Sequence, residues 1–405
     1  MNVTYIIGNG FDLNLGLKTS YKDFYEYYTK RPSSTPEIEA LKDSIKDDQT
    51  LENWADLEMS LGEYTEKVST KGEMRCIIMD IVNELAAYLK KEEKRILVSE
   101  EKDAEIAKEF GDIENSLKKR TKRELLCHYR DYNSPHLIDI ITLNYTSTIE
   151  QLLSIGDNDT FKEIHVGTLF DKSAFLRSIH HLHHTLKDGD RPFVGVNDKS
   201  QIKNEEFRDD QMMMDLLIKP IMNQTNGTDV DEDCKQIIGS SYLFIFFGVS
   251  IGATDKDWWR LIASRLQNER NSRLVIFAYD PSLNIIDLGE KKRVVISDFL
   301  SHSDLPKEAK DRITDQIYVE CNSRLFNGLK NYLKKIDPAE TIHMPPQFEY
   351  GGHAFGPAGL PWGVSVTPLH QNDLFPQTET FAQVAQVPRH LPRRLRKLRK
   401  FRRIY

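Results

Sequence analysis

The sequence has few cysteines and no long apolar segment. Its four cysteines, Cys76, Cys127, Cys234 and Cys321, are far apart among 405 residues and show no paired spacing. This scarcity argues against a structural zinc site and a disulfide scaffold, and it favours a reducing cytosol. No apolar run approaches the ~18 residues of a membrane-spanning helix, and the first residues lack the features of a signal peptide. We therefore expect a cytoplasmic protein without membrane contact.

Charge is unevenly divided along the chain. Acidic residues outnumber basic ones by 62 to 55, which gives a net charge of −7 at pH 7. Residues 389–405 contain nine Lys or Arg and no acid, so residues 1–388 carry −16, with 46 basic residues against 62 acidic. An acidic body argues against general affinity for nucleic acid, apart from weak attraction by the basic end. That end is either a short amphipathic helix, with Leu395, Leu398 and Phe401 on one face, or a solvated tail.

The composition changes near Asp337, where we place a domain boundary. Nine of the 16 prolines lie between Pro338 and Pro392, and residues 350–362 have the composition of a Pro/Gly-rich linker. Such a segment cannot build regular elements of ordinary length. We therefore expect one folded domain over residues 1–336 and a disordered, Pro/Gly-rich tail over residues 337–405 with a basic C-terminus.

Short apolar runs rich in β-branched and aromatic residues recur along residues 1–336. They lie at Val3–Ile7, Leu137–Leu143, Glu163–Val166, Phe193–Val196, Tyr242–Phe247, Leu274–Tyr279 and Val294–Ile296. Such runs, separated by helical stretches, predict an α/β fold with a mainly parallel sheet covered by helices. Residues of about 20–132 are charged, with apolar residues at three- and four-residue spacing, which predicts a large helical insertion after the first strand.

The first candidate site is a glycine turn directly after the first strand. Gly8, Asn9, Gly10 and Phe11 form this turn, and Gly16 follows with five residues between it and Gly10. Glycines there permit a tight turn and let backbone N–H groups approach a phosphate at the start of a helix. The dinucleotide fingerprint has only two intervening residues, so a simple turn is the alternative interpretation.

Polar residues also follow the predicted strand Leu137–Leu143. Thr142, Asn144 and Thr146 lie where open α/β sheets place their ligands. The Asn144 amide offers an acceptor and donors, which suits a ribose hydroxyl or a positioned water. The alternative is that Asn144, Thr146 or Ser147 caps the helix that follows.

Histidines follow the next apolar run. His165, before Val166 and Gly167, is a candidate general base near neutral pH, although a lone histidine beside apolar residues is otherwise a packing residue. The cluster from His180 to His184 lacks carboxylates and further histidines at matched spacing. We therefore predict that it forms an exposed loop with no metal bound.

The fourth candidate turn follows Tyr242–Phe247. Gly248 and Ser250 stand where a ligand is contacted, and Asp255 precedes a helix that carries Trp258 and Trp259. Asp255 is therefore either a ligand-binding residue or the cap of that helix. Four strand-end turns with Gly, Asn, His and Ser favour one nucleotide pocket over four independent caps.

Taken in order, these segments resemble the AbiH family of bacterial abortive-infection proteins, which act against bacteriophage. The resemblance covers about residues 1–335. Its most specific part is residues 6–24, Ile-Ile-Gly-Asn-Gly-Phe-Asp-Leu-Asn-Leu-Gly-Leu-Lys-Thr-Ser-Tyr-Lys-Asp-Phe. Further support comes from Trp54–Glu58, Leu143–Thr148 and Gly248–Asp255. The resemblance implies a role in antiviral defence.

More distantly, the pattern is similar to the sirtuin-type NAD-binding fold. Gly8, Gly10 and Gly16 keep the spacing of the sirtuin glycines, and Thr142-Leu-Asn144 is similar to a Thr-x-Asn motif of sirtuins. This resemblance implies a Rossmann-like, mainly parallel sheet of sirtuin type that carries the large helical insertion.

Two later segments extend the sirtuin resemblance, and two features depart from it. His165-Val-Gly167 resembles the catalytic His-Gly motif with one residue inserted, and Gly248-Val-Ser250 resembles a late glycine- and serine-containing turn. Asp12 stands where sirtuins have a serine, and the paired Cys-x-x-Cys zinc module of deacetylases is absent. The resemblance therefore implies hydrolysis of NAD rather than deacetylation.

For NAD as substrate or ligand, the resemblance implies a role for each candidate, without a metal. Gly8–Phe11 would hold the pyrophosphate, Asn144 the ribose or a water, and His165 would abstract a proton. Asp12 would stabilise positive charge on the ribose, or else bond the loop backbone as an Asx turn. The remaining expected contacts to the nucleotide are Gly16, Thr142, Gly248, Ser250 and Asp255.

Other functions stay open at this point. The chain is alternatively a non-catalytic sensor that binds a nucleotide and engages a partner through the insertion. A third possibility is a nuclease-like toxin that uses Asp56 or Glu58, although we interpret Trp54 as packed and both acids as solvated, with Glu58 able to reach the pocket. By analogy with sirtuin-like effectors we expect a homo-oligomer. The phage-derived trigger is not indicated by the sequence.

Overall fold

The computed structural model describes residues 1–48, 54–97, 103–155, 162–186 and 191–334. The chain divides after Ile336. The predicted tail over residues 337–405, including its basic end, lies outside the described residues, so its disorder stays a prediction. Within the described ranges, no helix is both long and apolar enough to cross a membrane.

The centre of the fold is a seven-stranded sheet with the strand order β3-β4-β2-β1-β5-β6-β7. Every neighbouring pair is parallel except β3 and β4, which are antiparallel. The predicted α/β class with a mostly parallel sheet is therefore confirmed. The strands are β1 Asn2–Ile7, β2 His136–Thr142, β3 Ile164–Leu169, β4 Lys172–His181, β5 Leu243–Phe247, β6 Arg273–Ala278 and β7 Ile317–Cys321.

Helices occupy most of the remaining described chain. Those between β1 and β2 are α1 Gly10–Leu15, α2 Tyr21–Tyr28, α3 Pro36–Asp47, α4 Leu57–Tyr64, α5 Lys71–Glu93, α6 Asp103–Gly111, α7 Ile113–Ser116 and α8 Lys119–Tyr129. The later ones are α9 Thr148–Leu152, α10 Glu205–Arg208, α11 Gln211–Leu217, α12 Lys219–Thr225, α13 Val230–Ser240, α14 Lys256–Asn268, α15 Leu288–Ser301 and α16 Lys307–Thr314.

Two predicted strands are wrong, and two observed strands were not predicted. Residues 193–196 lie against the helices, and Val196 makes only an isolated bridge to Ile218. Residues 294–296 belong to α15, whose apolar residues recur at helical spacing. The long strand β4 was missed because basic and histidine residues interrupt its apolar pattern, and β7 was missed because Glu320 interrupts its apolar run.

Helices cover both faces of the sheet. Successive side chains of its central strands are buried on opposite faces, so each face needs a layer of helices. Ile7 and Phe11 belong to a core that includes Phe110 of α6, whereas Ile6 belongs to the opposite core with Trp259 of α14. A third core joins α2–α5 to α10–α12, and Tyr145, which follows β2, packs against it. The helices of this third core therefore meet the carboxyl edge of the sheet.

The turn after β1 and the turn after β5 are in direct backbone contact. A Cβ atom on Gly10 would lie 2.4 Å from Gly248 Cα, and one on Gly8 would lie 2.5 Å from Gly248 O. Gly248 itself has a φ of +65°, a conformation that side chains disfavour. The three glycines therefore allow the two turns to close against each other.

We expect Gly10→Ala to lower the free energy of unfolding by about 1–3 kcal/mol, because its methyl group meets backbone that cannot rotate away. The matched control is Gly239→Ala in α13, where an added Cβ meets nothing within 4 Å. The control should leave stability unchanged or raise it by up to about 1 kcal/mol. Denaturant unfolding measures both, and equal stability of the two variants would contradict the close approach.

Candidate functional site

The glycine turn after β1 is held to β5 by its own backbone. Gly8 N donates to Phe247 O at 3.0 Å, Gly10 N donates to Gly248 O at 2.8 Å, and Phe11 N donates to Gly8 O at 2.9 Å. These N–H groups were predicted to hold a pyrophosphate. In this structure they are engaged within the protein, so they become available to a phosphate only when these bonds break.

The other residues of this turn have structural partners. The Phe11 ring is buried against Phe326, with 5.2 Å between ring centroids. The Asn9 amide bonds Thr19, which donates from Oγ1 at 2.6 Å and accepts through its carbonyl at 2.9 Å. Gly16 ends α1 with a φ of +100°. Asn9 and Gly16 are exposed to solvent.

Asp12 is the buried centre of the candidate site. Its side chain is 1% exposed, and it accepts hydrogen bonds from Thr146 Oγ1 at 2.6 Å and Asn144 Nδ2 at 3.3 Å. Thr142 Oγ1 in turn accepts from Asn144 N at 3.1 Å, which fixes the turn after β2. Two of the predicted catalytic residues, Asp12 and Asn144, are therefore in contact at the carboxyl edge of the sheet.

The contacts of Asp12 exclude the interpretation of Asn144 and Thr146 as caps of α9. Neither Asn144 nor Thr146 caps α9, because their side chains bond Asp12, and Ser147 at the cap position makes no side-chain cap bond.

Burial raises the pKa of Asp12 to about 7, although the hydrogen bonds from Thr146, Thr148 and Asn144 lower it. The nearby Glu93 carboxylate raises this pKa further.

Acidic and histidine side chains surround this pair. Glu93 of α5 accepts from Ser147 N at 2.6 Å, and burial raises the Glu93 pKa. His181, at the end of β4, has Nδ1 3.1 Å from Asn144 O and Nε2 2.6 Å from Glu150 Oε1. The turn that carries Asn144 is therefore tied both to the insertion and to β4.

A buried lysine forms a second ionic centre beside the first. Lys219 of α12 is 3% exposed, and its Nζ donates to Glu58 Oε2 at 2.7 Å and Asp255 Oδ1 at 2.8 Å. Glu58 Oε1 also accepts from Tyr145 Oη at 2.6 Å. Asp255 Oδ1 lies 2.9 Å from His183 Nε2. The charge cluster formed by these five residues joins the insertion, α12 and the turn after β5.

The charges of this cluster stabilise one another. Burial alone would raise the pKa of Asp255, but Lys219 and His183 outweigh it and hold the pKa far below its usual range. Burial likewise would lower the pKa of Lys219, but the carboxylates of Asp255 and Glu58 raise it instead. Lys219 and Asp255 therefore stay charged near neutral pH. Asp255 occupies the cap position of α14 without a side-chain cap bond, so the cap interpretation does not describe its contacts.

His165 lies far from both centres in the sheet. It pairs with Phe175 across the antiparallel strands β3 and β4, and Phe175 pairs with Leu137 near the start of β2. The residue is exposed on an edge strand, at the end of the sheet opposite to Asn144. The structure therefore does not support His165 as a base in this pocket.

The turn after β5 contributes one exposed polar side chain. Gly248 packs on Gly8 and Gly10, and Ser250 is exposed nearby.

Within the described ranges, no group of three or more His, Cys, Asp or Glu side chains is arranged to hold a metal ion. An open groove of about 600 Å³ between α15 and α16 is lined by none of the predicted site residues.

Sequence reasoning missed most of the second centre. His183 and His181 are largely buried at the end of β4 and just after it, so the prediction of an exposed loop over His180–His184 is wrong. Glu58 is buried and paired, so its interpretation as a solvated acid is also wrong, while Trp54 is packed as predicted. The sequence does contain one signal of this second centre: Lys219 is a single charged residue within the apolar run Leu216–Met222.

Comparison with known proteins identifies one family. The model of the family described as bacteriophage abortive infection AbiH matches residues 4–278, which is more than half of the 405 residues. No curated protein is detectably similar to the chain in sequence. The match includes every predicted site residue, from Gly8 to Asp255.

We expect Asp12→Asn to change how stability depends on pH. The folded-state pKa of Asp12 is about 7 against 3.8 when exposed, so the folded state binds this proton more tightly. The contribution of Asp12 is most favourable below pH ~4 and is lost as pH rises to ~7, by up to about 1.4 kcal/mol per pH unit.

The asparagine variant lacks this loss, so its stability relative to the wild type should increase between pH ~4 and ~7 and then level off. Denaturant unfolding across this range measures the difference. A difference that does not vary with pH would contradict an Asp12 carboxyl group that ionises near neutral pH in the folded state.

We expect Lys219→Met to lower the free energy of unfolding by about 3–5 kcal/mol, because it leaves the Glu58 and Asp255 carboxylates buried without their cation. Adding Glu58→Gln should recover part of the loss. The control, Lys235→Met, removes an exposed pair with Glu232 (2.7 Å) and should change stability by less than about 1 kcal/mol. Equal losses in denaturant unfolding would contradict the role of the buried lysine.

Proposed function

Because the chain belongs to the AbiH family of bacteriophage abortive infection proteins, we propose that it is an abortive-infection effector that hydrolyses the N-glycosidic bond of NAD. The family implies the defence role. The reaction and its site, a nucleotide pocket of sirtuin type at the carboxyl edge of a Rossmann-like sheet, are our proposal.

The observation that carries the proposal is the Asp12–Asn144 pair. Asn144 is buried with its Nδ2 on Asp12, and among the described residues its Oδ1 has no hydrogen-bond partner. A buried acceptor without a partner is costly unless a ligand donates to it. A ribose hydroxyl would donate to Asn144 Oδ1 and bring the sugar beside the Asp12 carboxylate.

The topology of the sheet supports a ligand at this position. The chain adds β2, β3 and β4 on one side of β1, and β5, β6 and β7 on the other. Open α/β sheets bind ligands outside the carboxyl ends of the strands at such a reversal. Asp12 follows β1, and Gly248 and Ser250 follow β5, so both sides of the reversal carry predicted contacts.

The pyrophosphate fits the turns less directly. Gly8, Gly10 and Phe11 already use their N–H groups within the protein, so these donors require the turn to open. Exposed Asn9 and Ser250 reach solvent at the same edge. We propose that they make the first contacts to the phosphates and that the glycine N–H groups follow when the turn opens.

The chemistry follows from the reactivity of the glycosidic bond. A water attacks the anomeric carbon, the bond to nicotinamide breaks, and its electron pair neutralises the positive ring nitrogen. The ribose passes through an oxocarbenium-like state, which the ionised Asp12 carboxylate would stabilise in a water-poor site. The water must also lose a proton, and His165 lies at the wrong end of the sheet to accept it.

The test measures nicotinamide release and NAD content in cells that produce the protein during phage infection. We expect NAD to fall in infected cells with the native protein. Asp12→Asn and Asn144→Ala should each reduce NAD loss and nicotinamide release at least ~100-fold, since both act at the reacting sugar.

His165→Ala is the matched control and should stay within about twofold of the native rate, because this side chain is exposed on the edge strand. If the infected culture survives while its NAD content stays unchanged, the proposal of NAD hydrolysis is overturned. Saturable nucleotide binding without turnover would instead identify the non-catalytic sensor.

A further inference from the structure

His183 is a buried histidine with one ring nitrogen in use and one without a partner. His183 is 4% exposed, and its Nε2 lies 2.9 Å from Asp255 Oδ1. Among the described residues, its Nδ1 is buried with no hydrogen-bond partner. His183 also lines a small cleft of about 10 Å³, close to the space that one water needs, beside Lys219 and Asn223.

Asp255 determines which ring nitrogen carries the proton. Lys219 and His183 keep Asp255 ionised, so the carboxylate accepts from whichever group faces it. Lys219 Nζ also faces His183 Nε2, at 3.4 Å, and already donates to Asp255 and Glu58. The arrangement therefore favours the imidazole tautomer with its proton on Nε2. In that tautomer the Nδ1 lone pair is free to accept a proton.

Asn223 provides a second acceptor on the same cleft. It is 4% exposed, and its Nδ2 donates to Leu182 O at 3.2 Å and to Asp231 Oδ1 at 2.7 Å. Both bonds fix the amide with Oδ1 free, and that atom is buried without a partner in the described structure. His183 and Asn223 both line this cleft, and each has one buried acceptor without a partner. A ligand that donates twice would satisfy both acceptors, and a water is the smallest such ligand.

The cleft is next to the proposed pocket along the backbone. Leu182 N donates to Thr142 O at 2.9 Å, and Leu186 N donates to Tyr145 O at 3.1 Å. The segment that carries His183 thus runs beside the turn that carries Asn144. The His183 ring also lies against the Tyr145 ring, with 6.4 Å between centroids.

We propose that His183, held by Asp255, is the general base of the NAD hydrolysis proposed above, and that it acts on a water shared with Asn223. The inference rests on that function. The water donates one hydrogen to Asn223 Oδ1 and loses the other to His183 Nδ1 as its oxygen bonds the anomeric carbon. The bond to nicotinamide breaks, its electrons stay on the ring nitrogen, and the imidazolium formed is stabilised by Asp255.

The charged and titratable groups around the imidazole are consistent with this role. Asp255 and Lys219 lie within hydrogen-bond range of Nε2, and Glu58 balances the lysine. Asp231 of α13 and the Tyr145 ring complete the surroundings.

The experiment compares His183→Gln and Asn223→Ala with His165→Gln, using nicotinamide release by the purified full chain. We expect His183→Gln to lower kcat at least ~100-fold with KM for NAD within about threefold, since a general base acts on the chemical step. Asn223→Ala should lower kcat about tenfold, and the exposed His165→Gln should remain within about twofold. Thermal unfolding checks that each variant is folded.

A second measurement needs no turnover and no variant other than the one used for assignment. Nitrogen-15 spectra of histidine-labelled protein above pH 8 should show His183 protonated at Nε2 and unprotonated at Nδ1, with its signals assigned by their loss in His183→Gln. A proton on Nδ1 overturns the inference. Native kcat in a folded His183→Gln also overturns it while leaving NAD hydrolysis intact. Absence of any turnover by the native protein overturns the proposed function itself.

Discussion

The fold of the site depends on one buried cation. Lys219 lies between Glu58 and Asp255, which come from α4 of the insertion and from the turn after β5. Moving three charges out of water is costly, and their mutual attraction offsets that cost only in a well-defined geometry. The pairing therefore requires the insertion helices, α12 and the sheet edge to meet in one arrangement.

The same cluster makes two carboxylates of the site chemically different. Asp255 has a cation beside it, which holds its pKa far below the usual range, whereas Asp12 has only neutral hydrogen-bond donors, and burial raises its pKa to about 7. Environments that separate the pKa values of neighbouring acids are typical of sites that divide tasks between them. Asp255 is suited to orient a histidine permanently, and Asp12 is suited to respond to charge that develops on a ligand.

Sequence reasoning could locate the strands whose apolar runs are continuous, and with them the turns that carry Asp12 and Asn144. It could not locate Lys219, because a lysine within an apolar run has no partner that can be identified along the chain. Glu58 and Asp255 are 161 and 36 residues away from it. Nor could it show that the glycine N–H groups bond the turn after β5, since that contact is between segments distant in sequence. Burial and pairing are properties of the folded chain.

The register of the β3–β4 hairpin explains why His165 lies away from Asn144, because β3 pairs only with the first residues of β4. β3 and β4 are joined by Phe170 and Asp171, whose φ values of +46° and +63° give the tight reversal of a two-residue hairpin. The carboxyl end of β3 therefore lies at the opposite edge from those of β1 and β2, and His165 pairs at the level of Leu137, near the start of β2. β4 runs parallel to β2 and returns the chain to the edge where β1 and β2 end, and His181 and His183 lie there. A motif matched by its order in the sequence thus keeps its residue type without keeping its position at the sheet edge.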